Sequence, residues 1–561
     1  MQQAHFSHWP PGLPRHLTLP RTNLFDNLAV SARRYPDKPA LIFYDTPMRY
    51  AELLDGAERI AGWLQRAGVQ AGDRVLLYLQ NSPQWVMAFY AILRANAVVV
   101  PVNPMNRSEE LRHYVHDSGA SVAFVPQDLL AQMEPLLGEE GLQQLVVVTY
   151  ADALREPTDL PVPDFVAAAP VAVDGPGLNA WRDVLAQGLR PGPLTAGPDD
   201  LCVMPYTSGT TGRPKGCMHT HRSVMSTLVG GVQWFGRTQD AVYLSVLPFF
   251  HVTGMAGSMN GPLFLGATMV VLARWDRNAA VQCLQRHRVT VLQAISTMVV
   301  DFLSNPRLPE YDLSSLQGIR GGGAAMPAAV AARLRELTGL DYVEGYGMSE
   351  TMGATHINPP QRPKPQCLGI PVFDVDARVI DPATLAEVPA GEIGEVVVHG
   401  PQVMRGYWND AAATRDAFIQ LEGRAFLRTG DLAQVDADGY FFMVDRLKRM
   451  INASGFKVWP AEVEALMYRH PAILEACVIA ARDERRGETV KALVVLRAEH
   501  RGQVAEQDIV AWSHAHMAAY KSPRIVEFVA SLPKSGSGKV MWRELQEREL
   551  ATGSTTRGDP L

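Results

Sequence analysis

Eleven consecutive residues, Tyr206-Thr-Ser-Gly-Thr-Thr-Gly-Arg-Pro-Lys215-Gly216, hold three glycines, four hydroxyl side chains and a lysine. Such a composition describes a loop. Glycine lets backbone amides come close to an anion, and Ser and Thr hydroxyls add donors. Thr207, Ser208, Gly209, Thr210 and Thr211 can therefore present N–H and O–H groups to phosphate oxygens, with Lys215 as a mobile positive charge beside them. A solvated Ser/Thr/Gly surface loop is the alternative reading. The spacing G-x-x-x-x-G-K-[ST] of nucleotide-hydrolysing motors does not occur in the chain, which disfavours that class.

Four further stretches carry chemistry-bearing types. Gly321-Gly-Gly-Ala-Ala-Met-Pro327 follows an expected strand and precedes an expected helix, so its backbone can approach a flat base or a phosphate. Tyr346-Gly-Met-Ser-Glu350-Thr351 sets an aromatic ring, a hydroxyl and a carboxylate close together. Tyr346 can stack on a base, Ser349 can bond a phosphate, and Glu350 is an oxygen ligand suited to Mg²⁺. Arg428-Thr-Gly-Asp431 reads as a turn between strands. Pro533-Lys-Ser-Gly-Ser-Gly-Lys539 is a glycine- and serine-rich loop with lysines near the chain's end.

The stretch 206–216 resembles the signature of the acyl-adenylate-forming superfamily, which includes acyl-CoA synthetases, luciferase-like enzymes and peptide-synthetase adenylation domains. The other motifs follow in the family's order, and the resemblance spans roughly Asn23 to Leu545. It implies that Gly323, Ala324 and Ala325 line adenine, that Tyr346, Gly347, Met348 and Ser349 hold AMP, and that Glu350 holds Mg²⁺. It assigns the ribose hydroxyls to Asp431, with Arg446 near them. Lys539 is implied to stabilise the transferring phosphate and acyl oxygen, Lys448 to act as the hinge, and Ser454, Gly455 and Lys457 to line the thiol channel. His251, beside Phe250, is implied to lie near the acyl chain, in catalysis with Thr207, Lys215 and Lys539. The chain departs from the family pattern at Ser349, where Thr is commoner, and at Trp542, where a basic residue is usual.

Elements that position these loops follow from periodicity. Helical spacing over 24–35 and 50–67 alternates with apolar runs at 40–44, 73–79, 98–102, 121–125 and 145–149. A second βα run has strands at 242–247, 268–272 and 289–293. Alternation of this kind predicts a largely parallel sheet with its ligand beyond the strand ends. Residues 157–193 are dense in Pro, Gly and Ala and are expected to form a poorly structured connection. The expected fold is α/β. A large N-terminal domain (23–444) has two stacked βα sheets and a small barrel-like subdomain, after an irregular arm (1–22). A hinge (445–449) leads to a mobile, small α+β C-terminal domain (450–561).

A chain of 561 residues exceeds one comfortable core. Net charge of −6 supplies no field for nucleic acid. Five cysteines without C-x-x-C spacing argue against a disulfide framework or zinc site and fit a cytoplasmic protein. No apolar run is long enough to span a bilayer, and the N-terminus lacks signal-peptide character. The expected substrates are ATP with Mg²⁺, coenzyme A and a carboxylic acid, with a fatty acid ahead of an aryl acid; a homodimer is allowed. Ala256-Gly-Ser-Met259 is small and offers no carboxylate for an amino group, which disfavours an amino acid. A carrier-protein loader, a luciferase-like oxygenase and a non-catalytic nucleotide sensor remain as rivals.

Overall fold

The computed structural model describes residues 4–138, 141–207, 213–323, 325–453, 456–483, 487–535 and 540–552. They divide into two compact units. The first takes 1–377, 398–427 and 438–440; the second takes 378–397, 428–437 and 441–561.

The first unit is built on two sheets. In the seven-stranded sheet the order is His219–Thr220, Leu201–Val203, Val98–Pro101, Arg74–Leu77, Val122–Pro126, Gln144–Val148, Leu178–Ala180. The nine-stranded sheet runs Ile370–Pro371, Gly353–Ile357, Tyr342–Met348, Gly318–Gly322, Val291–Gln293, Val242–Ser245, Thr268–Val271, Pro39–Phe43, Thr46–Arg49. Its central strands pair in parallel, as expected from the βα alternation.

Successive side chains of a strand point to opposite faces, and burial follows that period of two. Val75, Leu77, Val99, Val122, Phe124, Val146 and Val148 join one core cluster with Leu244, Val270, Leu292 and Ile319 of the other sheet. The intervening Leu76, Val98, Val100, Ala123, Val125, Leu145 and Val147 pack instead with Leu111, Tyr114 and Val115 of the helix Ser108–Ser118. Both faces of these strands are therefore covered, which explains why they read as continuous apolar runs. The helix Pro83–Arg94 is buried from Pro83 through Leu93 because it belongs to the inner cluster. Ser82 caps it by accepting the Trp85 amide at 3.1 Å.

Two expectations are corrected. Residues 157–193 are not structureless: Asp164–Ala167 and Trp181–Ala186 are short helices, and Leu178–Ala180 adds the edge strand of the seven-stranded sheet. Buried Val166, Trp181 and Val184 anchor this stretch despite its Pro and Gly content. The arm before residue 23, expected to be irregular, holds the short 3₁₀ helix Ala4–His8 and is docked, since Trp9 packs edge-on against Trp234 at 4.8 Å and Phe373 at 5.2 Å.

The strands between 376 and 446, expected to make a small barrel-like subdomain, are divided between the two units. Phe418–Leu421 pairs with Arg424–Leu427 in the first unit, and Asp431–Val435 with Phe441–Arg446 in the second. In the second unit the long hairpin Ile473–Asp483/Gly487–Leu496 is joined in parallel by Ile525–Phe528. Ala476, Val478, Val490 and Ala492 face one core there, while Cys477, Ile479 and Leu493 face Leu532 and Leu545.

Candidate active site

The phosphate-type segment is closed at its base. Tyr206–Thr207 and Lys215–Gly216 pair antiparallel, with Lys215 opposite Thr207 and Gly216 opposite Tyr206. Thr207 and Lys215 are thus brought together by two strand residues on each side; Ser208, Gly209, Thr210 and Thr211 lie outside the described residues. Gly216 is required by packing, because a Cβ there would stand 2.9 Å from Met204 and 3.2 Å from Tyr206. Tyr206 is a support: its hydroxyl donates to Asp117 at 2.6 Å, and burial raises its phenol well above the usual value.

Lys215 meets residues that the motif did not reveal. Its Nζ lies 3.5 Å from an Asp410 carboxylate oxygen and 5.2 Å from the centre of the Tyr407 ring. The Tyr407 hydroxyl donates to Glu350 Oε1 at 2.9 Å. One aromatic ring therefore links the lysine of the phosphate segment to the expected metal carboxylate. The Ala413 amide, and then Lys215, hold the Asp410 carboxyl below its ordinary range. Backbone bonds fix the register, since the Trp408 amide donates to Gly216, Met218 to Gly406 and Arg405 to Met218 at 2.8, 3.0 and 2.9 Å.

Glu350 is 5% exposed and sits in the single turn Ser349–Thr351 at the end of the strand Tyr342–Met348. The Met348 amide donates to Thr351 Oγ1 at 3.0 Å, and His219 Nε2 bonds the Ser349 carbonyl at 2.7 Å. Burial drops the His219 pKa to about 4, so a neutral ring donates that bond. His219, like Asp410 and Tyr407, is a residue that sequence reasoning missed. Among the described residues no group of three or more His, Cys, Asp or Glu could hold a metal. A single buried carboxylate fits Mg²⁺, which keeps waters and phosphate oxygens as its other ligands.

The two glycine-bearing motifs lie on neighbouring parallel strands, with Gly321 opposite Glu344 and Gly322 opposite Gly345. A Cβ on Gly321 would strike the Ala294 carbonyl, one on Gly322 the Gly345 carbonyl, and one on Gly347 the Gly353 carbonyl. Strand contact at these ends thus demands glycine. Gly323, at φ +88°, and Ala325 are exposed beyond the strand end; Ala324 lies outside the described residues. Tyr346 is half-buried with its ring centre 5.7 Å from that of His356, and Gly347 is exposed. This is the carboxyl edge of a parallel sheet, where such folds bind ligands. Beneath it, burial raises the Glu344 carboxyl to about 7, against the lowering effect of bonds from the Met326 and Gln366 amides.

The expected acyl segment contains a π-helical turn, Gly254–Asn260, a distortion frequent at functional sites. His251 is half-buried, and its Nδ1 accepts the Thr253 amide at 3.3 Å. Met255 and Met259 are fully buried, and Ser258 donates to Gln293 Oε1 at 2.7 Å. A Cβ on Gly257 would collide with the Gln293 carboxamide, so this small residue is set against a polar one. Gln293 was not legible as a neighbour of this segment.

In the second unit Asp431 lies opposite Arg446 in the strand register, and Arg446 Nε reaches its carboxylate at 3.0 Å. Asp431 is 2% exposed. The stretch Arg428–Asp431 was expected to be a turn but lies inside the strand Arg424–Val435. Gly430, at φ +68°, and a register shift between Leu432 and Ala433 mark an irregularity in the strand there. Arg428 is held through Nε and Nη2 by buried Glu395, which also accepts the Gly430 amide. The backbone of Lys448 lies in the turn Leu447–Arg449 and that of Lys457 in the strand Phe456–Val458; Ser454, Gly455 and Lys539 lie outside the described residues.

Comparison with known proteins matches residues 28–408 to the AMP-binding enzyme family and residues 462–539 to the AMP-binding enzyme C-terminal domain. The chain is 34% identical over 557 residues to a long-chain-fatty-acid–CoA ligase of Bacillus subtilis (strain 168), covering 98% of both chains. It is 34% identical over 524 residues to a feruloyl-CoA synthase of Amycolatopsis sp, covering 92% of this chain and 97% of the relative. The crystal structure of ATP-bound MatB from Rhodopseudomonas palustris superposes with a TM-score of 0.84 at 28% identity, covering 95% of this chain and all of that one. The chain therefore belongs to the AMP-binding enzyme family and is an AMP-forming acyl-CoA ligase that uses ATP and CoA.

Proposed function

We propose that the acid this ligase activates is a medium- or long-chain fatty acid. Its carboxylate oxygen attacks the α-phosphorus of ATP and expels pyrophosphate; the CoA thiol then attacks the acyl carbon of the resulting acyl-AMP and releases AMP. The observation that carries the assignment of roles is the contact of Lys215, Tyr407 and Glu350. It supports a site where fixed positive charge and a metal carboxylate serve the same phosphates. Lys215 and Thr207 orient the phosphate chain. Glu350 would hold Mg²⁺, which supplies charge neutralisation on the phosphates when bound, and the Tyr407 hydroxyl fixes that carboxylate.

Gly323, Ala325 and Tyr346 are proposed to receive adenine, Gly347 and Met348 to hold AMP beside it, Ser349 the α-phosphate, and Asp431 with Arg446 the ribose hydroxyls. Ser208, Gly209, Thr210 and Thr211 are proposed to join Thr207 and Lys215 on the phosphate chain, and Ala324 to join the residues that receive adenine. Lys539 is proposed to stabilise charge in the adenylation step, Lys448 to be the hinge, and Ser454, Gly455 and Lys457 to serve the thiol step. His251 is proposed to line the acyl path. An uncharged lining supports an alkyl substrate: between Val252 and Gly261 the polar side chains are Thr253, Ser258 and Asn260 only. The five cysteines are buried thiols not joined in disulfides, which supports a cytoplasmic setting.

An aryl acid is the second reading, favoured by the equal identity to a feruloyl-CoA synthase. The test is AMP release with CoA across a panel of saturated fatty acids, benzoate and cinnamate-type acids. Highest kcat/KM on a C8–C18 acid is expected; turnover confined to aryl acids would overturn the alkyl assignment.

A further inference from the structure

Away from the strand ends proposed for the nucleotide, the Gly318–Gly322 strand borders a cavity at its other end. This pocket, of about 220 Å³, is lined by Phe235, Arg237, Gln317–Arg320, Gly339–Asp341, Val343 and Pro360. Two guanidinium groups converge on it. Arg237 donates from Nη1 to the Gln317 side chain at 2.9 Å and from Nη2 to the Gln317 carbonyl at 3.1 Å. Arg320 lies over the Phe235 ring at 4.3 Å and 5.7 Å from the centre of the Tyr243 ring.

Neither guanidinium has a countercharge. Among the described residues no ion pair involves Arg237 or Arg320, and the buried Nε of each has no hydrogen-bond partner. The carboxylate on the lining, Asp341, is held by Arg335 at 3.2 Å. Arg237 follows the C-terminal end of the helix His221–Phe235, whose dipole favours a cation. About half an elementary charge there does not balance two full ones. Burial lowers both groups, and for Arg320 the Arg237 charge adds to it. The space is kept open by sequence, since a Cβ on Gly318 would strike the Arg237 guanidinium.

Buried like charges with unused N–H donors call for an oxyanion. We propose that this pocket is a binding site for a phosphate group of a small molecule, held between Arg237 and Arg320 and separate from the nucleotide site. Two forked donors suit a tetrahedral oxyanion better than a single carboxylate does. Leu340, Val343 and Pro360 leave an apolar wall for the rest of the ligand.

The test is equilibrium dialysis of the full chain with labelled inorganic phosphate while excess AMP occupies the nucleotide site. Pyrophosphate and acetate serve as competitors. One saturable phosphate site is expected, with pyrophosphate competing and acetate at least tenfold weaker. Gln317→Glu places a carboxylate against Arg237 at an exposed position that tolerates charge; it and Arg237→Gln should each weaken phosphate at least tenfold. ATP–pyrophosphate exchange should stay unchanged in Gln317→Glu. Absence of a saturable site under excess AMP, undiminished binding in Gln317→Glu, or acetate competing as well as phosphate would overturn the proposal. Gln317→Glu keeps the test decisive should Arg237→Gln fail to fold.

Discussion

Glu344 offers the sharpest pH test. This residue is 7% exposed on the strand that carries Tyr346, and its Oε1 accepts the Met326 amide at 3.1 Å. Burial raises its pKa from 4.5 to about 7. Each pKa unit is worth about 1.4 kcal/mol, so this rise corresponds to about 3 kcal/mol. The folded protein keeps the proton where the unfolded chain has already released it. Stability from this group is therefore complete below pH 4.5, falls as pH rises, and is lost above about pH 7. Glu344→Gln retains an oxygen acceptor for Met326 but cannot ionise. Urea midpoints of both proteins between pH 5 and 8 isolate the effect, because every other titrating group is common to the pair. The variant should gain on the parent progressively with pH, approaching about 3 kcal/mol at pH 8 as a ceiling. A difference that stays constant across this range, or shrinks as pH rises, would refute a buried neutral carboxyl at this position.

Lys539→Ala should lower ATP–pyrophosphate exchange by roughly a hundredfold or more yet spare thioester formation from supplied acyl-AMP; equal loss of both would contradict the role in adenylation. Tyr407→Phe removes the donor to Glu350, and a hydrogen bond to a charged group is worth about 1.5–3 kcal/mol. kcat/KM for ATP should fall roughly tenfold or more and need more Mg²⁺ to recover. In Asp431→Asn, ATP binding measured by calorimetry should weaken roughly tenfold with the fold intact, because Arg446 loses its charged partner and the proposed ribose acceptor loses its charge. Gly322→Ala should destabilise the first unit by about 1–3 kcal/mol in thermal unfolding, since its Cβ meets the Gly345 carbonyl.

Local order was largely legible. The apolar runs at 73–79, 98–102, 121–125 and 145–149 became neighbouring strands because runs covered on both faces need no polar alternation. The stretch 157–193 was misread because its Pro and Gly content outweighed Val166, Trp181 and Val184, whose burial decides its shape. Arg428–Asp431 was misread because Gly430 signals a turn whether it ends a strand or bends one.

By itself, the sequence marked which loops are candidates for phosphate-type chemistry, since glycine and hydroxyl spacing within a dozen residues is a local property. Only the tertiary structure decided their partners. Lys215 meets Tyr407 and Asp410 across nearly two hundred residues, His219 orients Ser349, and Gln293 faces Gly257. Each depends on strand register and on which backbone lies beside which. Neither is fixed by side-chain periodicity, which settles what faces the core but not what it faces there.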